Sequence, residues 1–233
     1  MEKVVTYVDG FDLDFGLKAK KWRCYYWLNI QKLSQNLLRP TQELVCTKYF
    51  TSRIFSHPPD KQERQTTYVE ALSTLPNFRM FYGKYRINTP LCQNCGFKNS
   101  IPQEKMTDVN IAVELMTDAF QNSFDTALLI SADSDLTAPV SAVRGLFPDK
   151  RVVIAFPPER RSYHLEEVAS ASFIIGERSL TQSLFPPEVR KPDGFVLKCP
   201  DLWRSSISPY PLFPWRSGRI FPEPCKRGGT MLV

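Results

Sequence analysis

Short apolar runs alternate with amphipathic stretches over most of the chain, and this alternation constrains the fold more than any other feature. Runs rich in β-branched and aromatic residues predict strands at residues 4–8, 43–54, 78–87, 126–131, 151–156 and 172–175. Apolar residues at helical spacing predict helices at residues 25–39, 60–75, 107–121, 135–146 and 162–169. Alternation of this kind predicts an α/β fold, a Rossmann-type three-layer arrangement with a mostly parallel central sheet.

The helix predicted at residues 107–121 has the clearest pattern. Thr107 is a suitable N-cap. One face of the helix carries Val109, Val113, Met116 and Phe120. An adjacent face carries Ile111, Ala112 and Leu115. Two apolar faces predict a helix that is buried over much of its circumference.

Composition divides the chain near residue 180. Residues 1–180 carry the strand and helix pattern, whereas nine of the 19 prolines lie in residues 186–233, among basic residues and without apolar periodicity. We therefore expect one α/β domain at 1–180 and a proline-rich, basic C-terminal extension at 181–233, either wrapped on the domain or mobile.

The net charge and the lengths of the apolar runs indicate which classes of partner the chain could bind. A net charge of +6 favours a polyanionic partner such as nucleic acid, although it is also compatible with solubility alone. No apolar run approaches the roughly 20 residues that a membrane span needs, so no membrane partner is expected. The N-terminal residues lack a signal-peptide pattern. These features predict a cytoplasmic protein whose six cysteines are reduced.

Acidic residues follow the ends of predicted strands. Asp9 follows the first strand, Asp133 and Asp135 follow the strand at 126–131, and Asp108 lies in the first turn of the helix at 107–121. Each has a local explanation, as a turn residue, a helix cap or a partner of the helix dipole. Ligands of open α/β sheets bind beyond the carboxyl ends of the strands. If the four carboxylates meet there, they require a cation, and oxygen ligands favour Mg²⁺ or Mn²⁺.

Four sequence blocks resemble those of NYN domains, which are PIN-like nucleases with a Rossmann-like fold. The blocks are VDGFDLDFG (8–16), EKMTDVNIAVELMTDAF (104–120), DTALLISADSDLTAPVSAVR (125–144) and RVVIAFPPERRSYHL (151–165). They occur in the order of the family and cover roughly residues 1–180. The resemblance implies a metal-dependent ribonuclease whose acidic cluster is Asp9, Asp108, Asp133 and Asp135. It also implies that Ser131 helps to orient the site.

The resemblance further implies how these residues divide the chemistry. We expect Asp9, Asp108 and Asp133 to bind the metal directly, and Asp135 to act through water or to position the nucleophile. One position departs from the family, which usually has Asn where this chain has Asp12. A fifth acid either strengthens metal binding or repels the substrate phosphate.

Two basic stretches are candidates for RNA contacts. Lys21 and Arg23 lie among aromatic residues in KAKKWRCYYWL (18–28), a combination that binds single-stranded nucleic acid through charge and stacking. Alternatively, the aromatic rings enter the core and the lysines are solvated. Arg160, Arg161 and Ser162 follow another strand end, where they could contact phosphate.

Cys92 and Cys95 have the spacing of a zinc knuckle in CQNCG. A closed structural zinc site needs four ligands, and no second paired motif is present, so bound zinc is a secondary expectation.

Three functions remain open at this point. The first is a metal-dependent endoribonuclease acting on RNA. The second is a non-catalytic RNA-binding or scaffolding module, favoured by Asp12 and the basic extension. The third is a phosphatase of the haloacid dehalogenase type, which is disfavoured because its DxD pair would follow the first strand, whereas here DxD occurs late. A homo-oligomer is compatible with all three.

Overall fold

A six-stranded, all-parallel sheet forms the centre of the computed structural model, which describes residues 1–53, 59–88 and 101–204. Its strands are β1 (Glu2–Asp9), β2 (Gln42–Thr51), β3 (Phe78–Tyr82), β6 (Thr126–Ile130), β7 (Arg151–Phe156) and β8 (Ala171–Ile174). Their spatial order is β3-β2-β1-β6-β7-β8, and every neighbouring pair is parallel. The predicted α/β fold with a parallel central sheet is confirmed.

Helices and two short antiparallel strand pairs complete the described fold. The α-helices are α1 (Gly10–Ala19), α2 (Ile30–Leu37), α3 (Pro59–Leu72), α4 (Thr107–Phe120), α5 (Thr137–Leu146), α6 (Tyr163–Val168) and α7 (Glu177–Thr181). Single 3₁₀ turns lie at Arg23–Tyr25, Ser134–Leu136 and Asp201–Trp203. The antiparallel pairs join β4 (Lys84–Asn88) to β5 (Ile101–Lys105) and β9 (Glu188–Arg190) to β10 (Val196–Lys198). None of the helices in these ranges has the length and apolar character needed to cross a bilayer.

Each face of the sheet has its own hydrophobic core. Successive residues of a strand point to opposite faces, and β1 shows this directly. Val4 and Val8 belong to the core covered by α1, α2 and α3, whereas Val5 and Tyr7 belong to the core covered by α4, α5 and α6. By the same alternation, Asp9 is directed toward the α4 face.

The helix α4 turns a different face to the sheet from the one emphasised by its sequence. Its buried residues include Ile111, Leu115 and Ala119, which extend the second predicted stripe. Three residues of the first stripe are exposed, Val109 by 59%, Val113 by 55% and Phe120 by 82%. The prediction of a helix buried over much of its circumference is therefore wrong.

A buried polar network fixes which face of α4 packs. Lys48, only 3% exposed, forms ion pairs with Glu114 at 2.6 Å and Asp118 at 2.7 Å. The Tyr7 hydroxyl also donates to Asp118. Buried charges need such partners, so the face carrying Glu114 and Asp118 has to lie over β1 and β2.

Four local features differ from the sequence predictions. Residues 10–19 form α1, which was not predicted. Only Ile30–Leu37 of the predicted helix at 25–39 is α-helical, and the strand predicted at 78–87 is divided between β3 and β4. Thr107 is not the N-cap of α4, because Met106 holds that position in a left-handed conformation with φ 80°.

The first part of the C-terminal extension packs on the domain. Phe185, Val189, Leu197 and Cys199 are all less than 9% exposed and belong to the core covered by α1 and α2. Residues 205–233 lie outside the described part of the chain.

Candidate metal centre

The strand order places a crevice beside the end of β1. The chain proceeds outward from β1 to β2 and β3, and then returns to build β6, β7 and β8 on the other side of β1. Reversal of this kind separates the connections that leave the two neighbouring strands, so a crevice forms at their carboxyl ends. Asp9 is the last residue of β1, and Ser131 directly follows β6.

Three carboxylates converge at this edge. One oxygen from each of Asp108, Asp133 and Asp135 lies within 4.8 Å of the other two. Asp108 is in the first turn of α4, and the other two come from the turn after β6. Two segments distant in sequence therefore contribute to one group of carboxylates, which includes three of the four acids of the predicted cluster.

Asp133 is fixed by a local cap. Its Oδ1 accepts a hydrogen bond of 3.0 Å from the backbone N–H of Asp135, at the start of the 3₁₀ turn Ser134–Leu136. Asp135, which the sequence suggested as a cap and first residue of the next helix, instead lies within this turn, and α5 begins at Thr137. The cap holds the two carboxylates of the DSD triplet on one side of the turn.

Asp9 lies beside this cluster and is buried more deeply. Its side chain caps α1, with Oδ1 accepting from the N–H groups of Phe11 at 3.0 Å and Asp12 at 3.1 Å. Burial, together with the negative charges of Asp12 and Asp108, raises the pKa of Asp9 to about 7, against the opposing effect of its hydrogen bonds. The structure thus groups Asp135 with Asp108 and Asp133, and places Asp9 next to them.

The Ser131 hydroxyl connects two buried acids. Its Oγ lies 3.2 Å from Asp9 Oδ2 and 2.9 Å from Asp12 Oδ2, and it accepts a hydrogen bond of 3.1 Å from the Asp133 N–H. Asp12 Oδ2 also accepts from the Ala132 N–H at 2.6 Å. Ser131 therefore orients the start of the DSD turn relative to α1.

Asp12 is paired with a cation from across the site. Its Oδ1 lies 2.6 Å from Nη2 of Arg160, which follows β7. The charge of the fifth acid is therefore balanced locally, and Asp12 lies outside the group of three carboxylates. The contacts of Asp12 are with Arg160, Ser131 and Ala132, and its effect on the binding of metal and phosphate stays a prediction.

Close backbone packing brings Arg160 to α1. A Cβ added at Gly16 would lie 2.6 Å from the carbonyl oxygen of Pro158 and 2.9 Å from Cβ of Pro157, closer than side-chain carbons approach. Lys20, just after α1, forms an ion pair with Glu159. The α1 helix therefore packs tightly against the loop after β7, and Asp12 faces Arg160 across this contact.

Other predicted RNA contacts have structural partners. Arg161 makes two hydrogen bonds to Glu166, at 2.9 and 2.7 Å. Ser162 is the N-cap of α6, where its Oγ accepts from Leu165 N–H at 3.4 Å. Their predicted contact with phosphate would require these bonds to be shared or broken.

The aromatic residues after α1 belong mainly to the core. Tyr25 and Trp27 are 7% and 3% exposed, as in the alternative in which the rings are buried. Lys21 and Arg23 are exposed on the surface next to them. Their contact with RNA stays a prediction. Cys92 and Cys95, the predicted zinc pair, lie outside the described residues.

The donor set suits a hard divalent cation. All three converging ligands are carboxylates, without the sulfur or imidazole that favours zinc. Three negative charges this close repel one another unless a cation or protons neutralise them. Mg²⁺ and Mn²⁺ bind oxygen ligands of this kind and retain bound water. The residues therefore fit the predicted metal class.

Sequence reasoning missed the pair formed by Asp12 and Arg160. The two residues are 148 positions apart, and no local pattern links them. The one signal in the sequence was Gly16, the second glycine of the block GFDLDFG, because glycine is unfavourable within a helix unless another backbone packs closely against it.

Comparison with known proteins supports the fold and the family. No curated protein sequence matches this chain. The crystal structure of a protein of unknown function from Vibrio parahaemolyticus is similar in fold, with a TM-score of 0.50 and 19% sequence identity over 79% of this chain and 96% of that one. The family model for the NYN domain matches residues 3–179. This chain therefore belongs to the NYN domain family, a nuclease-like family.

Proposed function

We propose that this protein is a metal-dependent endoribonuclease that hydrolyses RNA phosphodiester bonds at the carboxyl edge of its sheet. The observation that carries the proposal is the convergence of Asp108, Asp133 and Asp135, whose carboxylate oxygens lie within 4.8 Å of one another. Membership of a nuclease-like family and the net charge of +6 support the same function.

Asp108, Asp133 and Asp135 would hold Mg²⁺ or Mn²⁺. When bound, such an ion lowers the pKa of a bound water and stabilises negative charge on the phosphate. The chain itself fixes the ligands. The Asp133 carboxylate is held by its cap on the DSD turn, and Ser131 ties this turn to α1. Preorganised ligands need little reorganisation during the reaction.

The test compares Asp133→Asn with Asp149→Asn in an RNA cleavage assay. Asp149 is an exposed acid just before β7, at the opposite edge of the sheet, so its substitution removes the same charge away from the site. We expect cleavage with Mn²⁺ or Mg²⁺ and none with EDTA. Asp133→Asn should slow cleavage by about 100-fold, because several kcal/mol of charge stabilisation depend on the ion, whereas Asp149→Asn should not.

Cleavage that persists in EDTA and in Asp133→Asn would refute the assignment. RNA binding without any cleavage, unaffected by chelation, would instead support the non-catalytic RNA-binding module.

A further inference from the structure

Arg160 is held beside the acidic cluster by a buried carboxylate. Its Nη2 lies 2.6 Å from Oδ1 of Asp12, which is only 5% exposed, and its guanidinium group lies over the Phe15 ring at 5.8 Å. The Arg160 side chain is itself 38% exposed. One end of the guanidinium group is therefore fixed, and the group still has access to solvent.

A continuous set of hydrogen bonds joins Arg160 to the DSD turn. Asp12 binds Arg160 through Oδ1 and binds Ser131 Oγ through Oδ2, at 2.9 Å. The same Oγ accepts from the backbone N–H of Asp133 at 3.1 Å. The positive charge of Arg160 thus lies at the margin of the cluster that would hold the metal.

Asp12 does not use all the donors of Arg160. The Nε atom of Arg160 is buried and has no hydrogen-bond partner among the described residues. A buried donor without an acceptor is unfavourable. By contrast, both Nε and Nη2 of Arg161 are bound to Glu166. Because Nε is shielded from solvent, an added anion would meet Arg160 at the exposed part of its side chain.

The carboxylates next to Arg160 are already engaged. Asp9 Oδ1 accepts two backbone hydrogen bonds, and Asp9 Oδ2 and Asp12 Oδ2 share the Ser131 hydroxyl. Two-metal sites need carboxylates that bridge ions about 4 Å apart. Within the described ranges, one group of three acids is close enough to share an ion, and Asp9 and Asp12 are not part of it.

We propose that the site binds one divalent ion, at Asp108, Asp133 and Asp135, and that Arg160 supplies the second positive charge, contacting the phosphate that is cleaved. This inference rests on the proposed ribonuclease function. The planar guanidinium group of arginine matches the geometry of phosphate oxygens. Asp12 is then a positioning residue, which acts by holding Arg160.

The experiment counts Mn²⁺ ions bound per chain and measures RNA cleavage by the Mn²⁺-loaded full-length protein. The variants are Arg160→Gln, Arg160→Lys and Asp12→Asn, and the matched control is Arg151→Gln, an exposed arginine at the amino edge of the sheet. Calorimetric titration with Mn²⁺ gives the stoichiometry, and thermal unfolding in EDTA verifies that each variant is folded.

We expect one Mn²⁺ per chain in every variant, with little change in affinity. Arg160→Gln should lower kcat by about 100-fold, the loss usual for one donor to a developing negative charge. Arg160→Lys should recover part of this loss, because lysine keeps the charge without the planar geometry. Asp12→Asn should lower kcat by a smaller factor, and Arg151→Gln should leave it within about twofold.

Two Mn²⁺ ions bound to the wild-type chain would overturn the inference, as would unchanged kcat in folded Arg160→Gln beside an active wild type. A wild-type chain that binds Mn²⁺ and leaves RNA intact would overturn the proposed function, and the inference with it. The two failures are therefore distinguishable.

Discussion

Among single residues, the acids at the end of β1 are coupled through one hydroxyl proton. Ser131 has one proton to donate, yet its Oγ lies close to both Asp9 and Asp12. Asp12 has further donors in Arg160 and the Ala132 N–H. Burial and the charges of Asp12 and Asp108 raise the pKa of Asp9 to about 7, although its Oδ1 accepts two backbone N–H groups.

This shift predicts that ionisation of Asp9 destabilises the metal-free protein. A folded pKa of about 7 lies above the ordinary value of 3.8, so the folded state binds the proton more tightly than the unfolded state. The stabilisation is complete below about pH 4 and is lost as the pH rises through about 7. Asp9→Asn should remove this loss, which is at most about 4 kcal/mol.

Urea unfolding in EDTA across this pH range measures the effect, with Asp149→Asn as the control. The free energy of unfolding of the wild type and of Asp149→Asn should fall together as the pH rises, while that of Asp9→Asn changes less. Parallel curves for all three proteins would contradict the assignment of the shift to Asp9.

At the scale of single residues, the sequence indicates which residues belong to the candidate site, but it does not indicate which side chains contact each other. Asp108, Asp133 and Asp135 could be chosen because acids after buried strands have a clear chemical meaning. The contact of Asp12 with Arg160 could not be predicted, because it depends on how α1 packs against the loop after β7.

At the scale of helices and strands, the contact between α1 and the loop after β7 controls the geometry of Arg160. Gly16→Ala should destabilise the protein by about 1–3 kcal/mol, because the added methyl group would overlap the backbone of Pro158. Gly145→Ala in α5 is the matched control, since no atom lies within 4 Å of its added methyl group. That control should be neutral or stabilising by up to about 1 kcal/mol.

Urea unfolding measures both stabilities, and cleavage by the two variants shows whether the loop has moved. A Gly16→Ala protein as stable and active as the wild type would show that the loop shifts freely, and that Arg160 does not depend on this contact.

The helices also show why periodicity alone gave incomplete answers. In α4 both apolar stripes fit a helix, and the one that packs was decided by Asp118, which has to reach Tyr7 and Lys48. The α1 helix was missed because two glycines and two aspartates obscure it, although Leu13 and Leu17 are buried one turn apart. Tertiary contacts, rather than local propensity, determine both.

For the whole molecule, strand–helix alternation predicted the parallel sheet, but not the order of its strands. That order depends on which strand pairs with β1, and it places Asp9 beside Ser131. Sequence analysis could therefore indicate a site at the carboxyl edge, whereas its position between β1 and β6 required the structure.

Charge at the scale of the whole chain predicts how the proposed RNA binding should depend on salt. Residues 205–233 contain four basic residues and one acidic residue, so they carry half of the net charge of +6. Replacing Arg216 and Arg219 with Gln should reduce the slope of log affinity against log salt by up to about 1.4, if both contact phosphate.

The matched control replaces Lys3 and Arg151 with Gln, which removes the same charge from exposed positions at the amino edge of the sheet. Fluorescence anisotropy with labelled single-stranded RNA at several salt concentrations measures both slopes. Equal slopes for the two double variants would show that Arg216 and Arg219 have no special share in binding.

The separation of the three clustered acids along the chain also has a consequence during synthesis. Asp108 is translated well before Asp133 and Asp135, and the turn that holds the latter pair needs β6 in place next to β1. A nascent polypeptide that ends before residue 133 carries only one member of the cluster. More than half of the chain is therefore synthesised before the three carboxylates can be brought together.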